Sequence, residues 1–191
     1  MSSPLTDLSS LENKIVDVVI KPLKTHADDR GFFREIIRNT DDIFCGPFAQ
    51  WSHSKMAVNT VKAWHYHHIQ YDWWYIAMGQ AHIVLYDLRV ESSTFGQKLE
   101  FDLGDTDYGQ DVLSAVVRIP PGVAHACKAL VNNTHLLYVT SETYNPNDEG
   151  RYPYNDKLFD HNWGNEEELI VVENDKRAFK PTGKRTILAS R

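Results

Sequence analysis

Two cysteines in 191 residues, Cys45 and Cys127, are too few for a disulfide framework or an array of zinc fingers. Positive charge is also in short supply: 20 Lys and Arg stand against 26 Asp and Glu, a formal net charge of −6. That balance argues against the basic surface a nucleic-acid-binding protein presents. It does not exclude a nucleotide carried on a small substrate, for which a few local cations suffice. The opening "MSSPLTDLSSLENK" has no basic start and no apolar run, so no signal peptide is expected. No apolar stretch reaches the length needed to span a bilayer. Internal repeats and linkers are absent, and helical periodicity is nearly so. These absences predict a soluble, cytoplasmic protein with reduced thiols and neither nucleic acid nor membrane as a partner. A single domain over 1–191 is expected, with 1–13 as a mobile arm and 164–191 as a tail.

What is present is a succession of short runs rich in β-branched and aromatic residues. "GFFREII", "FAQWSHSKMAV", "DWWYIAMG", "AHIVLYDLRV", "SAVVRIP" and "HLLYVTSETY" are separated by "HADDRG", "ESSTFGQ", "DLGDTDYGQD", "PPG" and "VNN". Many short strands with frequent turn signals predict an all-β sandwich or barrel. Only "NEEELIVVENDKRAF" reads as helical, with Asn165 as N-cap before an acidic first turn. The basic end, "KPTGKRTILASR", is expected on the surface or against a partner subunit.

The stretch "WHYHHIQYDWW", residues 64–74, concentrates the chemistry. Residues i and i+2 of a strand share a face, so His65 and His67 point together. With "HHIQY" as a turn, Asp72 opens the next strand beside them, and "IPPGVAHA" supplies His125 farther on. The combined H-x-H-x4-D-x6-G and P-x-G-x-x-H pattern resembles the two metal-binding motifs of the cupin superfamily, with Asp72 in place of the usual Glu. Under that reading His65, His67, Asp72 and His125 would ligate a divalent metal and leave positions open for substrate. The remaining histidines, His68, His82, His135 and His161 among them, read as half-buried polar residues. Trp64, Tyr71, Trp73 and Tyr75 read as packing. By alternation Trp74 shares a face with Asp72, which makes it the aromatic placed to contact a ligand.

"DDRGFFRE", "FAQWSHSK", "VKAWHYH", "YDLRVESSTFG", "IPPGVAHA" and "SETYNPNDE" resemble, in order and spacing, the dTDP-4-dehydrorhamnose 3,5-epimerase family of the cupin superfamily. The resemblance runs from about Lys14 to Trp163 and implies a double-stranded β-helix, or jelly roll. It implies proton abstraction beside the ketone of a dTDP-4-keto-6-deoxyhexose-like nucleotide sugar, in polysaccharide biosynthesis, without a cofactor. It also implies a homodimer that exchanges N-terminal segments. His65 matches the family's base, Asp175 the carboxylate that orients it and Tyr144 the acid. Arg30, Glu35, Gln50, Lys62 and His125 match positions that bind nucleotide, phosphate or sugar, and Arg30 and Glu35 are placed to serve the neighbour's site. Two departures stand out. Asp72 falls where the family has a lysine that steadies the enolate, and His67 replaces a glutamine. A divalent metal would restore the missing charge. Three functions therefore compete: a nucleotide-sugar epimerase with His65 as base, a metal-dependent cupin isomerase or oxygenase with His65 as ligand, and a non-catalytic binder of sugar nucleotides.

Overall fold

The computed structural model describes Leu11 and residues 14–105 and 112–180. The expected mobile arm, apart from Leu11, and the basic end beyond Lys180 lie outside the described residues. Among the described residues twelve strands follow in order: β1 (Val19–Pro22), β2 (His26–Asp28), β3 (Gly31–Phe33), β4 (Gln50–Met56), β5 (Val61–His67) and β6 (Asp72–Met78). Then come β7 (Gln80–Asp87), β8 (Lys98–Gly104), β9 (Ala115–Ile119), β10 (Val123–Ala129), β11 (Thr134–Thr140) and β12 (Glu149–Arg151). One five-stranded sheet has the order β1-β9-β6-β11-β4 and the other β12-β5-β10-β7-β8, while β2 and β3 form a separate hairpin. This is the all-β, cupin-type jelly roll expected.

Alternation explains the layering. Inward residues of both sheets, including Trp74, Ile76, Ile83, Leu85, Phe101, Val117 and Leu136, form the main core. The outward residues are not all solvated, and this is why several strands read as continuous apolar runs. On β6, Trp73 faces away from that core, stacks on Phe44 with ring centroids 4.7 Å apart and donates from Nε1 to the Ile43 carbonyl at 2.9 Å. On β5, Trp64 stacks on Phe159 at 4.0 Å and donates to the Tyr154 carbonyl. The segment after β12 therefore covers the outer face of the second sheet. Trp64 and Trp73 are packing residues, as expected.

Two glycines are fixed by what surrounds them. Gly79 turns β6 into β7 at φ +80°, and a Cβ there would lie 2.8 Å from the Thr134 backbone. Gly150 on β12 lies against the Tyr66 ring, which a Cβ would meet at 2.0 Å.

The tail differs from expectation. In place of an α-helix there are two single 3-10 turns, Glu166–Glu168 and Glu173–Lys176, joined by extended chain. Asn165 does cap the first, its side chain accepting from the Glu167 backbone N–H. The β-branched run Ile170, Val171, Val172 then takes the chain across β5, where Ile170 bridges Thr60 and its carbonyl accepts from Val61. Pairing to an existing sheet overrides the helical pattern.

Candidate active site

The pocket opens between the sheets, where β5, β6, β10 and β11 present side chains to the interior. Its wall includes Gln50, Lys62, His65, His67, Gln70, Asp72, Trp74, His125, Tyr144 and Glu149. A bulge assembles part of this wall. In the β5–β10 ladder His65 pairs with His125 but Lys62 pairs with Cys127, so three residues of β5 span two of β10. Strict alternation would set Lys62 and His65 on opposite faces, whereas the bulge brings Lys62 to the pocket beside His65 and His67. Lys62 is the one Lys or Arg among the described residues lining the pocket.

His65 is tied to the tail. Its Nε2 lies 3.1 Å from Oδ1 of Asp175, which is buried on the second 3-10 turn. A carboxylate can only accept here, so Nε2 carries the proton and Nδ1 carries the lone pair. Nδ1 lies 3.8 Å from Oε1 of Glu149, a residue that also lines the pocket and pairs with Arg151. The pairing with Asp175 spans 110 positions of sequence.

The second group comprises His67, Asp72 and His125, whose ligand atoms all lie within 4.8 Å of one another. All three are buried. His125 Nδ1 lies 3.2 Å from the Val123 carbonyl, which can only accept, so Nε2 keeps its lone pair. Burial pushes the His125 imidazole down to about 3, against the opposing pull of Asp72, and it is therefore neutral. Its Nε2 lies 3.9 Å from Asp72 Oδ2, and His67 Nε2 lies 4.0 Å from Asp72 Oδ1. The Gln70 side-chain nitrogen donates to Asp72 Oδ1 at 2.7 Å and lies 3.1 Å from His67 Nε2. His67 Nε2 is thus an acceptor, and its Nδ1–H faces Asp148 Oδ2 at 3.8 Å. Asp148 in turn accepts from the backbone N–H groups of His68, Ile69 and Gln70 and fixes the expected turn after β5. Trp74 Nε1 donates to Asp72 Oδ2 at 3.1 Å, and the indole meets His125 edge-on at 5.1 Å.

The structure therefore divides the four-ligand set read from the sequence. His67, Asp72 and His125 converge, and His65 pairs with Asp175 instead. The donor chemistry of the converging three fits a transition-metal cation: two imidazoles and a carboxylate, with each ring's Nδ1 facing an oxygen outside the group.

The other expected site residues are placed as follows. Tyr144 stands at the pocket mouth, 64% exposed, with its backbone N–H bonded to Gln50 Oε1 at 3.0 Å. Arg30 and Glu35 do not line this pocket. Arg30 bonds Asp28 on the exposed β2–β3 hairpin, and Glu35 pairs with Arg38. Gln70, Asp148 and Glu149 were not singled out from the sequence. Gln70 looks like an ordinary turn residue, and Asp148 and Glu149 sit unmarked inside "SETYNPNDE". Cys127, inward on β10, is fully buried and its thiol is pushed up to about 12 by burial, so it takes no part in nucleophilic chemistry.

With this geometry in view, the chain can be set beside known proteins. A sequence model of the family described as dTDP-4-dehydrorhamnose 3,5-epimerase matches residues 12–181. The spore coat polysaccharide biosynthesis protein SpsL of Bacillus subtilis is 38% identical over 152 residues, covering 78% of this chain and 96% of that protein. The dTDP-4-dehydrorhamnose 3,5-epimerase of Salmonella typhimurium is 31% identical over 160 residues, covering 80% and 84%. Among solved structures, the dTDP-6-deoxy-D-glucose-3,5-epimerase of Legionella pneumophila superposes with a TM-score of 0.75 at 24% identity, covering 86% and 88%, a likeness of fold. The jelly roll, the pocket and the sequence match together place this chain in the dTDP-4-dehydrorhamnose 3,5-epimerase family, whose members are isomerases.

Proposed function

We propose that the protein epimerises a dTDP-4-keto-6-deoxyhexose by removing a proton from carbon next to the ketone and returning one to the opposite face. The observation that carries this reading is the His65–Asp175 pair opening into the pocket, with Tyr144 at its mouth. In this mechanism His65 Nδ1 takes the proton as general base. Asp175 holds the ring through Nε2–H and offsets the charge of the imidazolium formed, as a buried carboxylate does for a catalytic imidazole. Glu149, 3.8 Å from Nδ1, adds to that stabilisation. Tyr144 returns a proton from the other side of the sugar. Gln50 positions it by holding its backbone, and Lys62 supplies positive charge for the diphosphate or the enolate oxygen. Trp74 and His125 line the sugar end. The solved Legionella relative holds dTDP-4-keto-L-rhamnose, which supports a substrate of this class.

We read the described residues as one cupin domain that works as a homodimer. An apolar groove on the outer face of the first sheet, lined by Ile36, Phe48, Trp51, Tyr75 and Leu137 among others, supports the dimer, as do Phe33 at 63% and Trp51 at 67% exposure. The exposed hairpin carrying Arg30 would reach the partner's pocket, with Glu35 just after it.

The test is incubation with a dTDP-4-keto-6-deoxyhexose in D2O, followed by NMR. Deuterium at the carbons flanking the ketone is expected, and its presence at one or both positions distinguishes single from double epimerisation. Failure of every such sugar nucleotide to exchange would overturn the reading.

A further inference from the structure

The pocket presents an electrostatic problem that its own side chains leave unsolved. Asp72 is 4% exposed, and among the described residues no Lys or Arg nitrogen lies within 4.0 Å of it. Its hydrogen bonds come from two neutral donors, the Gln70 amide and the Trp74 indole. A buried carboxylate without a compensating cation is costly. The two imidazoles do not relieve it. His125 Nδ1 is held by the Val123 carbonyl, and His67 Nε2 lies 3.1 Å from the Gln70 amide nitrogen, which can only donate, so each ring turns an Nε2 lone pair toward the same carboxylate. Three electron-pair donors meet at one point, and the Gln70 amide occupies the edge between two of them.

We propose that His67 Nε2, His125 Nε2 and Asp72 form a three-donor site for one divalent first-row transition-metal cation, beside the His65–Asp175 pair and independent of it. The residues choose the class of ion. Imidazole nitrogens and a carboxylate suit Zn, Mn, Fe, Co, Ni or Cu, whereas Ca and Mg favour all-oxygen sets. The Val123 carbonyl fixes the tautomer and aim of His125 from behind, as the outer partners of metal-bound histidines do, and Asp148, 3.8 Å from His67 Nδ1, would do the same for His67 on closing to hydrogen-bond distance. Donors each ~2.1 Å from a tetrahedral ion stand ~3.4 Å apart. The histidine-to-Asp72 separations are 3.9 and 4.0 Å, to different carboxylate oxygens, and the whole set lies within 4.8 Å, so side-chain rotations that draw the donors together by up to about 1.4 Å would close the site. Gln70 would turn its amide so that its oxygen, in place of its nitrogen, faces the cation.

This arrangement removes the choice between base and metal, because His65 is not needed as a ligand. For its chemical role the inference rests on the keto-sugar reading: a cation there supplies the charge that steadies an enolate oxygen. For its existence it does not.

The test titrates tag-free, chelator-stripped full-length protein with Co2+, read by visible d–d absorption and calorimetry. About one Co2+ per chain is expected. Asp72→Asn and His67→Gln should each weaken binding at least tenfold, and Asp148→Asn by roughly 10- to 100-fold through the His67 ring. Thermal melts of each variant confirm that the fold is kept.

A second cluster, His82, Glu100 and His161, also groups potential ligands, and His82→Ala serves as the control. There Glu100 already has a cation beside it, Lys98 Nζ at 2.9 Å, and His82 Nδ1 is taken up by Asp102 at 2.6 Å. Co2+ binding should survive His82→Ala unchanged. Absence of binding by the wild-type protein, binding unaltered in both pocket variants, or binding lost in His82→Ala would each overturn the site. Deuterium exchange by stripped protein that binds no Co2+ would remove the metal and leave the epimerase. Co2+ at the pocket without exchange of any dTDP-4-keto-6-deoxyhexose would do the reverse.

Discussion

Asp87, within a segment that resembles the family, and Asp72, at a departure from it, are both buried carboxylates, and their surroundings could hardly differ more. Asp87, at the end of β7 and fully buried, accepts from Arg89 Nε, Nη2 and backbone N–H and from the hydroxyls of Ser92 and Thr94. Burial alone would raise its pKa, but the Arg89, Ser92 and Thr94 hydrogen bonds outweigh it and hold the carboxyl below its usual range. Every lone pair is used and the charge is neutralised within the fold, so "DLRVESSTFG" is an internal brace for the loop between β7 and β8. Asp72 has two neutral donors and faces two imidazole lone pairs across a pocket. One carboxylate is neutralised within the fold, and the other has no Lys or Arg nitrogen beside it among the described residues. The partners of a buried charged group thus separate one that braces the fold from one that the fold leaves uncompensated.

Substitutions can break or sharpen this contrast. The largest effect falls on a third carboxylate, Asp175, which in the proposed mechanism holds His65 as the base. Asp175→Asn should lower the exchange rate by roughly 10²- to 10⁴-fold with KM little changed, measured by steady-state NMR kinetics. An equal rise in KM with kcat preserved would assign Asp175 to binding.

Asp87→Asn comes next, and its effect should be on stability. It takes from the half-buried Arg89 guanidinium its main counter-charge, leaving the exposed Asp17 carboxylate at 3.2 Å, and should cost about 3 kcal/mol. At roughly 2–4 °C per kcal/mol for a chain of this size, the melting temperature should fall by about 10 °C, while turnover per folded molecule stays as it was. The linked pH dependence has a definite sign. Because the folded pKa of Asp87 lies below the unfolded value of about 3.9, its contribution is complete above that pH and is lost as pH falls through the lower folded value. Acid unfolding of the Asp87→Asn variant should lack this component.

Asp72→Asn should do the opposite. Removing an uncompensated buried charge is expected to stabilise the metal-free protein by about 1 kcal/mol, seen as a small rise in melting temperature. A large destabilisation would put Asp72 in the same class as Asp87.

The smallest effect belongs to His82 in the outer cluster. Burial lowers its pKa, but Asp102 and Glu100 raise it more, so the net shift is upward. Its stabilisation is present below about pH 6.5 and fades as pH rises through the raised folded value. His82→Ala should cost about 1 kcal/mol or less at pH 6 and less again at pH 9.

Much of this was legible in the sequence. Short β-rich runs between turn residues gave the all-β class, and alternation placed His65 with His67 and Asp72 with Trp74. What was not legible depended on contacts between distant segments. The β5 bulge that turns Lys62 into the pocket breaks the two-residue period on which alternation rests. The tail read as helical because "NEEEL" looks like a capped first turn, but Ile170 pairs with β5 instead. The separation of His65 from the other three candidate ligands follows from Asp175, 110 residues away, and no local spacing encodes that. Gln70 and Asp148 were missed because their roles exist only once the turn after β5 has closed.

The most direct test of the central claim, that His65 moves a proton beside a ketone, is deuterium incorporation into dTDP-4-keto-6-deoxyglucose by the wild type and His65→Ala side by side in D2O. The mechanism predicts rapid incorporation next to the ketone with the wild type and a loss of at least about 10³-fold in the variant, with its fold intact. Equal incorporation by both proteins, or none by either, would contradict it.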